Sequence, residues 1–329
     1  MGYCRRNDRR PEPAKKVFTR IASKNNGKDK KVKIATLCKR FGISKQGLYK
    51  RLSKAKEDLL QNKNVINLVL NVRHEQAFIG TEKVYDIIKE DLIAMKLKIG
   101  RCKLNSILKI HGMLVQKKRK SVITTNSRHR FRKYPNIIKG LEITKPEQVW
   151  VADITYIRTD YGFNYLHLIT DSYSKQIVGF ELSDDMKAES TAKALKMALK
   201  NRKYPDRKLI HHSDRGIQYC SNEYIQILKD NHVGISMTEN SSPGDNAIAE
   251  RVNGILKSEF SIGNGFRNHL SALEEIKKSI FIYNHKRPHR SCKMLTPVNA
   301  HLNGKYKLPD YRLKRKQKNE LSLKNNGEK

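Results

Sequence analysis

The sequence predicts an α/β fold in which a mixed five-stranded sheet is flanked by helices and preceded by a small all-α region. Two observations predict this fold. From position 148 onward, apolar β-branched runs and amphipathic helical segments follow one another in the order β-β-β-α-β-α-β-α. Before position 117, apolar residues recur instead at helical spacing.

The predicted sheet begins with three strand-like runs joined by short turns. They are QVWVADITYI, FNYLHLITDSYS and KQIVGFELS, and TDYG forms the first hairpin turn. Helix AESTAKALKMALKNR, strand KLIHHSD, helix EYIQILKDNH and strand GISMTEN follow, and another helix runs from about residue 245 to 260. Three adjacent strands followed by alternating strands and helices are the order of an RNase H-like core.

One more helix is predicted after this core, over residues 271–283. Ser271 and Glu274 have the spacing of a capping box. The apolar residues of this helix recur every three or four positions, at Leu273, Ile276, Ile280 and Tyr283. We therefore expect the domain to end in a helix that packs by one face.

The run KIATLCKRFGISKQGLYKRL predicts a helix-turn-helix over residues 31–58. Gly42 breaks the first helix, Ser44 is a suitable N-cap for the second, and Leu48 continues its apolar face. Such a second helix enters the DNA major groove. The residues that would face the groove are Lys45, Gln46, Tyr49 and Lys50. The alternative is an ordinary helical hairpin without DNA contact.

The remaining segments complete the predicted domain organisation. Residues 59–116 read as a second helical DNA-binding region, for which a plain helical spacer is an equal alternative. The other predicted segments are a basic flexible leader (1–30), a basic linker (117–143), the α/β core with its C-terminal helix (144–302) and a basic tail (303–329).

The charge of the chain predicts a polyanionic partner. Lys and Arg number 68 against 32 Asp and Glu, which gives a formal net charge of +36. An excess of this size repels itself in the folded state, and nucleic acid is the first candidate to neutralise it. A purely structural basic protein is the alternative.

Cysteine usage and hydropathy narrow the class of protein further. The five cysteines form no CxxC pair and are odd in number, which argues against a zinc ribbon and against a disulfide framework. No run reaches the 18 or so apolar residues of a membrane span, and the N-terminus lacks the apolar stretch of a signal peptide. These features favour a cytoplasmic, nucleoid-associated protein without a membrane partner.

Three carboxylates stand out in the predicted core. Asp153 lies inside an apolar strand, Asp214 directly follows another strand, and Glu250 shares a polar helix face with Lys257 two turns later. Each alone has an ordinary explanation: a structural aspartate, a turn cap and a solvated helix face. The fold order brings the three together, however, and three oxygen ligands suit Mg²⁺ or Mn²⁺ and not zinc.

The blocks WVADITYI, HSDRGIQY and SSPGDNAIAERVNGILKSE resemble the three signature blocks of insertion-sequence transposases with a retroviral-integrase-type catalytic core. The segment YNHKRPH at 283–289 resembles the Tyr-Asn…Arg-Pro-His segment that follows this core in the family. The resemblance covers roughly residues 35–300. It implies an RNase H-like fold and metal-dependent cleavage of DNA ends followed by strand transfer.

The resemblance also assigns roles to individual residues. Asp153, Asp214 and Glu250 would be the catalytic ligands of two Mg²⁺ ions, for which Mn²⁺ can substitute. Lys257 would contact the transposon-end DNA, and three further residues would serve as secondary DNA contacts or as supports of the ligands: Asn246, Arg215 and Arg287. Two departures are visible: Arg251 stands where the family often has a small residue, and the zinc-binding module of retroviral integrases has no counterpart.

The implied partners are double-stranded DNA, at the element ends and the target, and a second copy of the chain or more. Many members of the family are fused to an upstream reading frame, so such a fusion or partner is also implied. Two rival functions remain open on the sequence: a non-catalytic DNA-binding regulator derived from a transposase, and an RNase H-like nuclease that only hydrolyses.

Overall fold

The computed structural model describes residues 35, 38–39, 42–115, 130–239 and 246–306. These residues form two compact units. One comprises the described residues up to Val72 together with Ile87–Leu114, and the other comprises Arg73–Asp86 together with the described residues from Val115 onward. The predicted leader (1–30), the first part of the predicted linker (117–129) and nearly all of the predicted tail (307–329) lie outside the described residues.

Three helices precede the sheet: α1 (Lys45–Glu75), α2 (Thr81–Ala94) and α3 (Arg101–Ile110). Helix α1 begins as its sequence predicts, because the Ser44 hydroxyl accepts a hydrogen bond from the Gly47 N–H at 3.0 Å. Leu48 is fully buried and packs with Cys38, and the φ of +59° at Gly42 makes the turn before them.

Helix α1 is longer than the predicted recognition helix. It runs for 31 residues and crosses position 58, where the sequence analysis placed a domain boundary. The reason is local, because the chain has neither Gly nor Pro from Leu48 to Ile79 and thus nothing that ends a helix.

The second unit contains a five-stranded sheet of order β3-β2-β1-β4-β5. Its strands are β1 (Val149–Thr159), β2 (Gly162–Asp171), β3 (Ile177–Ser183), β4 (Ile210–Ser213) and β5 (Gly234–Met237). The first three strands are antiparallel neighbours, whereas β4 pairs parallel to β1 and to β5. The predicted mixed sheet is therefore confirmed.

The helices that follow β3 keep the predicted order, with two additions. They are α4 (Ala188–Lys200), α5 (Ile217–Cys220), α6 (Asn222–Asp230), α7 (Ala247–Glu259), α8 (His269–His285) and α9 (Pro297–Asn303). The additions are the four-residue α5 directly after β4 and the seven-residue α9 at the end of the unit. Among the described residues, no helix is long and apolar enough to cross a membrane.

The two faces of the sheet are covered by different helices. Trp150 and Ala152 belong to the buried cluster with residues of α4 and α6, whereas Ile157 clusters with residues of α7 and α8. Since side chains alternate along a strand, Asp153 lies on the same face of β1 as Ile157. The sheet alternation thus turns Asp153 toward α7.

The start of α8 differs from the prediction. The helix begins at His269, and its capping box joins Asn268 to Ser271 instead of Ser271 to Glu274. The Asn268 carboxamide oxygen accepts from the Ser271 N–H at 2.9 Å, and the Asn268 N–H donates to the Ser271 hydroxyl at 3.2 Å. Asn268 is as good an N-cap as serine, and it lies one turn earlier.

Glu147, just before β1, holds the C-terminal segment onto the sheet. Its carboxylate is buried and accepts from the Lys203 N–H at 2.7 Å, from the Tyr204 N–H at 3.1 Å and from the Arg202 Nε at 3.2 Å. His301 of α9 lies 3.4 Å from the same carboxylate. Several donors thus converge on one buried anion.

Close packing of β3 on α4 depends on Gly179. A methyl group there would overlap the Ala194 carbonyl oxygen and come within 2.9 Å of the Ala198 Cβ. Gly179→Ala is therefore expected to lower the free energy of unfolding by about 2–3 kcal/mol. Urea denaturation followed by the fluorescence of Trp150, the single tryptophan, measures this loss. The matched control is Gly254→Ala, since nothing lies within 4 Å of that position; an equal loss in both variants would contradict the packing argument.

Candidate active site

The strand register places the two predicted aspartates side by side. Val149 of β1 pairs with Ile210 of β4, and Val151 pairs with His212. Two residues further along, the same register sets Asp153 opposite Asp214, which directly follows β4. Neighbouring strands lie about 4.8 Å apart, so the two aspartates are neighbours at the point where β4 ends.

Helix α7 packs against β1 beside these aspartates through a stripe of polar side chains. The Asn253 side-chain amide donates to Asp153 Oδ2 at 2.8 Å, and the Asn246 amide donates to the Ala152 carbonyl at 2.9 Å. Both asparagines are buried, and Glu250 lies between them on the same stripe with its side chain exposed. The third predicted carboxylate is thus carried by a helix that is fixed directly to β1.

The charges of the three carboxylates act on one another. Burial raises the pKa of Asp153 to about 7, with further increases from the negative charges of Asp214 and, less strongly, Glu250. Burial lowers the pKa of Lys257, while the charge of Asp153 acts in the opposite direction. The site is therefore a place where negative charge is crowded and a cation would be stabilised.

The donor set suits a hard divalent cation. Carboxylate oxygens are the ligands that Mg²⁺ and Mn²⁺ prefer, and the buried Asn253 Oδ1 has no hydrogen-bond partner among the described residues. Among the residues that the structure describes, however, no three His, Cys, Asp or Glu side chains lie close enough together to hold a metal. The two aspartates are neighbours on adjacent strands, whereas the Glu250 side chain is exposed to solvent.

Comparison with known proteins identifies the family. Two models described as integrase core domain match residues 143–243 and 231–297. The chain is 35% identical over 266 residues to the insertion element IS600 uncharacterized 31 kDa protein of Shigella sonnei, covering 80% of this chain and 96% of that protein. The chain belongs to the insertion-sequence transposases with an integrase core. This family cleaves DNA and transfers its strands.

Other relatives match the transposase over shorter lengths. It is 31% identical over 196 residues to the transposase for insertion sequence element IS629 of Shigella sonnei, covering 59% of this chain and 66% of that protein. It is 38% identical over 157 residues to transposase InsF for insertion sequence IS3A of Escherichia coli (strain K12). That match spans 46% of this chain and about half, 53%, of the relative.

Two solved structures are similar to the transposase at low identity. The HTLV-2 integrase catalytic core domain in complex with magnesium, in its trimeric form, has 19% identity and a TM-score of 0.39, covering 48% of this chain and 97% of that one. The simian T-cell lymphotropic virus intasome in complex with PP2A regulatory subunit B56 gamma has 17% identity and a TM-score of 0.43, covering 70% and 78%.

The residues predicted to contact DNA lie in two parts of the transposase. At the start of α1, four side chains are exposed together: Lys45, Gln46, Tyr49 and Lys50. Arg215 and Lys257 are partly buried beside the carboxylates, whereas Asn246 is buried with its amide donating to β1. The four exposed side chains at the start of α1 are accessible to a large ligand without any rearrangement of the protein.

Arg287 has a different environment from the predicted DNA contact. Its side chain is 1% exposed and binds Glu259 through Nε at 2.7 Å and Nη2 at 2.8 Å. The geometry gives no support to a DNA contact at Arg287, because both donors already face a carboxylate inside the protein.

Two residues of this transposase site, Asn253 and Glu259, had no role predicted from the sequence. Asn253 stands three residues after Glu250, so the predicted polar face contained the signal. Glu259 stands three residues after Leu256 and seven after Val252, on the apolar stripe of α7. A carboxylate at such a position needs a partner, and this was the available signal.

Proposed function

We propose that Asp153, Asp214 and Glu250 are the catalytic carboxylates of this transposase and that they hold two Mg²⁺ ions, for which Mn²⁺ can substitute. One observation carries the proposal: the β1–β4 register sets Asp153 opposite Asp214, and Asn253 ties the helix that carries Glu250 to Asp153. Completing the ligand set requires the exposed Glu250 side chain to turn toward the aspartates.

The proposed reaction needs an attacking oxygen, a phosphodiester and a leaving 3′-oxygen in line. Bound divalent ions supply the activation of water or a DNA 3′-hydroxyl and the stabilisation of the leaving oxygen. The chain's own residues position the reactants. The Asn253 amide holds one oxygen of Asp153 in place, and the Lys257 ammonium, partly buried near Asp153, would bind a DNA phosphate. No covalent protein–DNA intermediate is required.

A strand-transfer assay tests this proposal. The protein would be incubated with DNA carrying the element ends, with a target duplex and with Mg²⁺, and products would be separated by denaturing electrophoresis. We expect joined products that disappear when a chelator removes the metal. Nicked but unjoined DNA would indicate a hydrolytic nuclease instead. DNA binding without cutting or joining would indicate a regulator derived from a transposase, or a protein that needs its upstream-frame partner.

The start of α1 is the proposed DNA-reading surface. Lys50→Ala is expected to weaken binding to every DNA sequence and to reduce the slope of log affinity against log salt by about 1. Gln46→Ala should instead reduce the preference for element ends by about 1–3 kcal/mol. Fluorescence anisotropy over a salt series measures both effects.

The matched control for Lys50 is Lys193→Ala, since Lys193 is an exposed lysine of α4 that lies 3.6 Å from Glu181. Affinity and salt slope that stay unchanged in Lys50→Ala, or that fall equally in the control, would refute a specific role for α1.

The proposed partners follow from this activity. The substrate is double-stranded DNA at the element ends and the target, and joining two ends requires at least two copies of the chain on the DNA. An upstream-frame partner and a nucleoid-associated location in the cytoplasm remain part of this proposal.

A further inference from the structure

The segment between α1 and α2 forms hydrogen bonds with the C-terminal end of α7. We call residues 76–83, which include the first turn of α2, the connector. The Phe78 N–H donates to the Glu259 carbonyl oxygen at 3.2 Å, and the Lys83 ammonium donates to the Glu259 carboxylate at 2.9 Å. Glu259 is the last residue of α7, and the last carbonyls of a helix lack partners within it. The connector therefore caps the helix that carries Glu250.

A second cation completes the contact with Glu259. Arg287, from the segment after α8, binds both oxygens of the Glu259 carboxylate, at 2.7 and 2.8 Å. Burial would raise the pKa of Glu259, but Arg287 and Lys83 outweigh it and lower the pKa. The end of α7 is thus held by an ionised carboxylate between two cations, inside the protein.

The segment that presents Arg287 is itself fixed to the sheet. The Asn284 carboxamide accepts from the Ile177 N–H at 3.0 Å and donates to the Ile177 carbonyl at 2.9 Å. The Tyr283 hydroxyl donates to the Lys175 carbonyl at 2.8 Å. Tyr283 and Asn284 therefore anchor this segment to the start of β3, and Arg287 reaches α7 from a rigid base.

We propose that Lys83 and Arg287 are positioning residues for transposition, which act through Glu259 to fix α7 and thereby Glu250 and Lys257 relative to β1. This proposal rests on the catalytic role of Glu250 proposed above. The hydrogen bonds from Asn246 and Asn253 to β1 fix the first two turns of α7, and the Glu259 contacts fix its end. Glu250 and Lys257 lie between these two sets of contacts.

The test compares Lys83→Met with the wild type in the full chain. Methionine keeps the length of the side chain and removes its charge, so Glu259 retains Arg287. Strand joining is expected to slow roughly tenfold, and the Mg²⁺ concentration for half-maximal rate is expected to rise by a similar factor. Binding to element-end DNA should stay within about twofold, because Lys83 does not belong to the proposed DNA surface. Lys83→Arg should restore the wild-type values.

The matched control is Lys286→Met. Lys286 binds Glu75 at 2.6 Å, next to the connector, but this pair does not involve Glu259. Joining and Mg²⁺ dependence are expected to be unchanged in this variant. If Lys83→Met joins DNA with wild-type rate and Mg²⁺ dependence, or if both variants lose activity equally, the positioning role is wrong.

Hydrogen exchange in the metal-free protein tests the contacts at Glu259 without a measurement of enzyme activity. Peptides from α7 should exchange faster in Lys83→Met than in wild type, whereas peptides from α4 should be unchanged. Unchanged exchange in α7, or an equal increase in α4, would overturn the proposal. This measurement involves neither metal nor DNA. It therefore tests whether Lys83 fixes α7 even if the catalytic role proposed for Glu250 is wrong.

Discussion

Glu250→Gln is expected to reduce strand joining by at least about a thousandfold while leaving the binding of element-end DNA intact. The amide has the same shape as the carboxylate but lacks its charge, so the ligand set loses one anionic oxygen and the helix keeps its packing. Asp153→Asn and Asp214→Asn should have effects of the same size. Gel-based strand transfer and a parallel mobility-shift assay measure the two quantities.

The matched control is Glu223→Gln. Glu223 is a glutamate of α6 whose carboxylate lies 3.9 Å from the Lys196 ammonium on the surface. This variant should join DNA at the wild-type rate. Joined products from Glu250→Gln at more than a small fraction of the wild-type amount would remove Glu250 from the active site, and loss of DNA binding in all three variants would point to misfolding instead.

Glu147→Gln is expected to lower the free energy of unfolding by about 3–4 kcal/mol, because a buried carboxylate that gathers several donors would be replaced by an amide that also presents donors. The loss should appear in urea denaturation as a lower midpoint. The control is Glu181→Gln, whose carboxylate forms a surface pair with Lys193 and should change the free energy by less than about 1 kcal/mol.

The contribution of Glu147 also depends on pH. Burial would raise the pKa of this carboxyl, but hydrogen bonds from His301, the Lys203 N–H and Arg202 outweigh it and lower the pKa to about 2. A lowered pKa means that the stabilisation is complete above about pH 4.5 and is lost as the pH falls toward 2. Wild type and Glu147→Gln should therefore approach each other in acid, and a difference that stays constant down to pH 2 would contradict this account.

The two aspartates could be placed from the sequence because each lies in or directly after a strand that the sequence predicts. Asp153 stands inside an apolar run and Asp214 at the end of another, and the β-β-β-α-β order makes those strands neighbours. The roles of Asn253 and Glu259 could not be assigned in the same way. They depend on the angle and depth at which α7 packs on β1, and these follow from many contacts between distant parts of the chain.

Arg287 shows the same limit from the other side. Its place in the Tyr-Asn…Arg-Pro-His segment implied, through the family resemblance, a secondary DNA contact or a support of the ligands. Sequence spacing does not show which direction a side chain takes, and the partner that decides it, Glu259, lies 28 positions away in a different helix. The end of α1 is a different case, because the absence of Gly and Pro from Leu48 to Ile79 is visible in the sequence and argues against a helix end at residue 58.

The three proposed ligands differ in how firmly the fold holds them. Asp153 stands on β1, which is hydrogen-bonded to β2 on one side and to β4 on the other, so its backbone can scarcely shift without disrupting the sheet. Glu250 stands on a helix that is held at both ends, but its own side chain is exposed. Cleavage and joining present different DNA geometries to the same carboxylates. Any adjustment between the two steps therefore falls to the Glu250 side chain, which can follow the substrate by changing its rotamer while its helix stays in place.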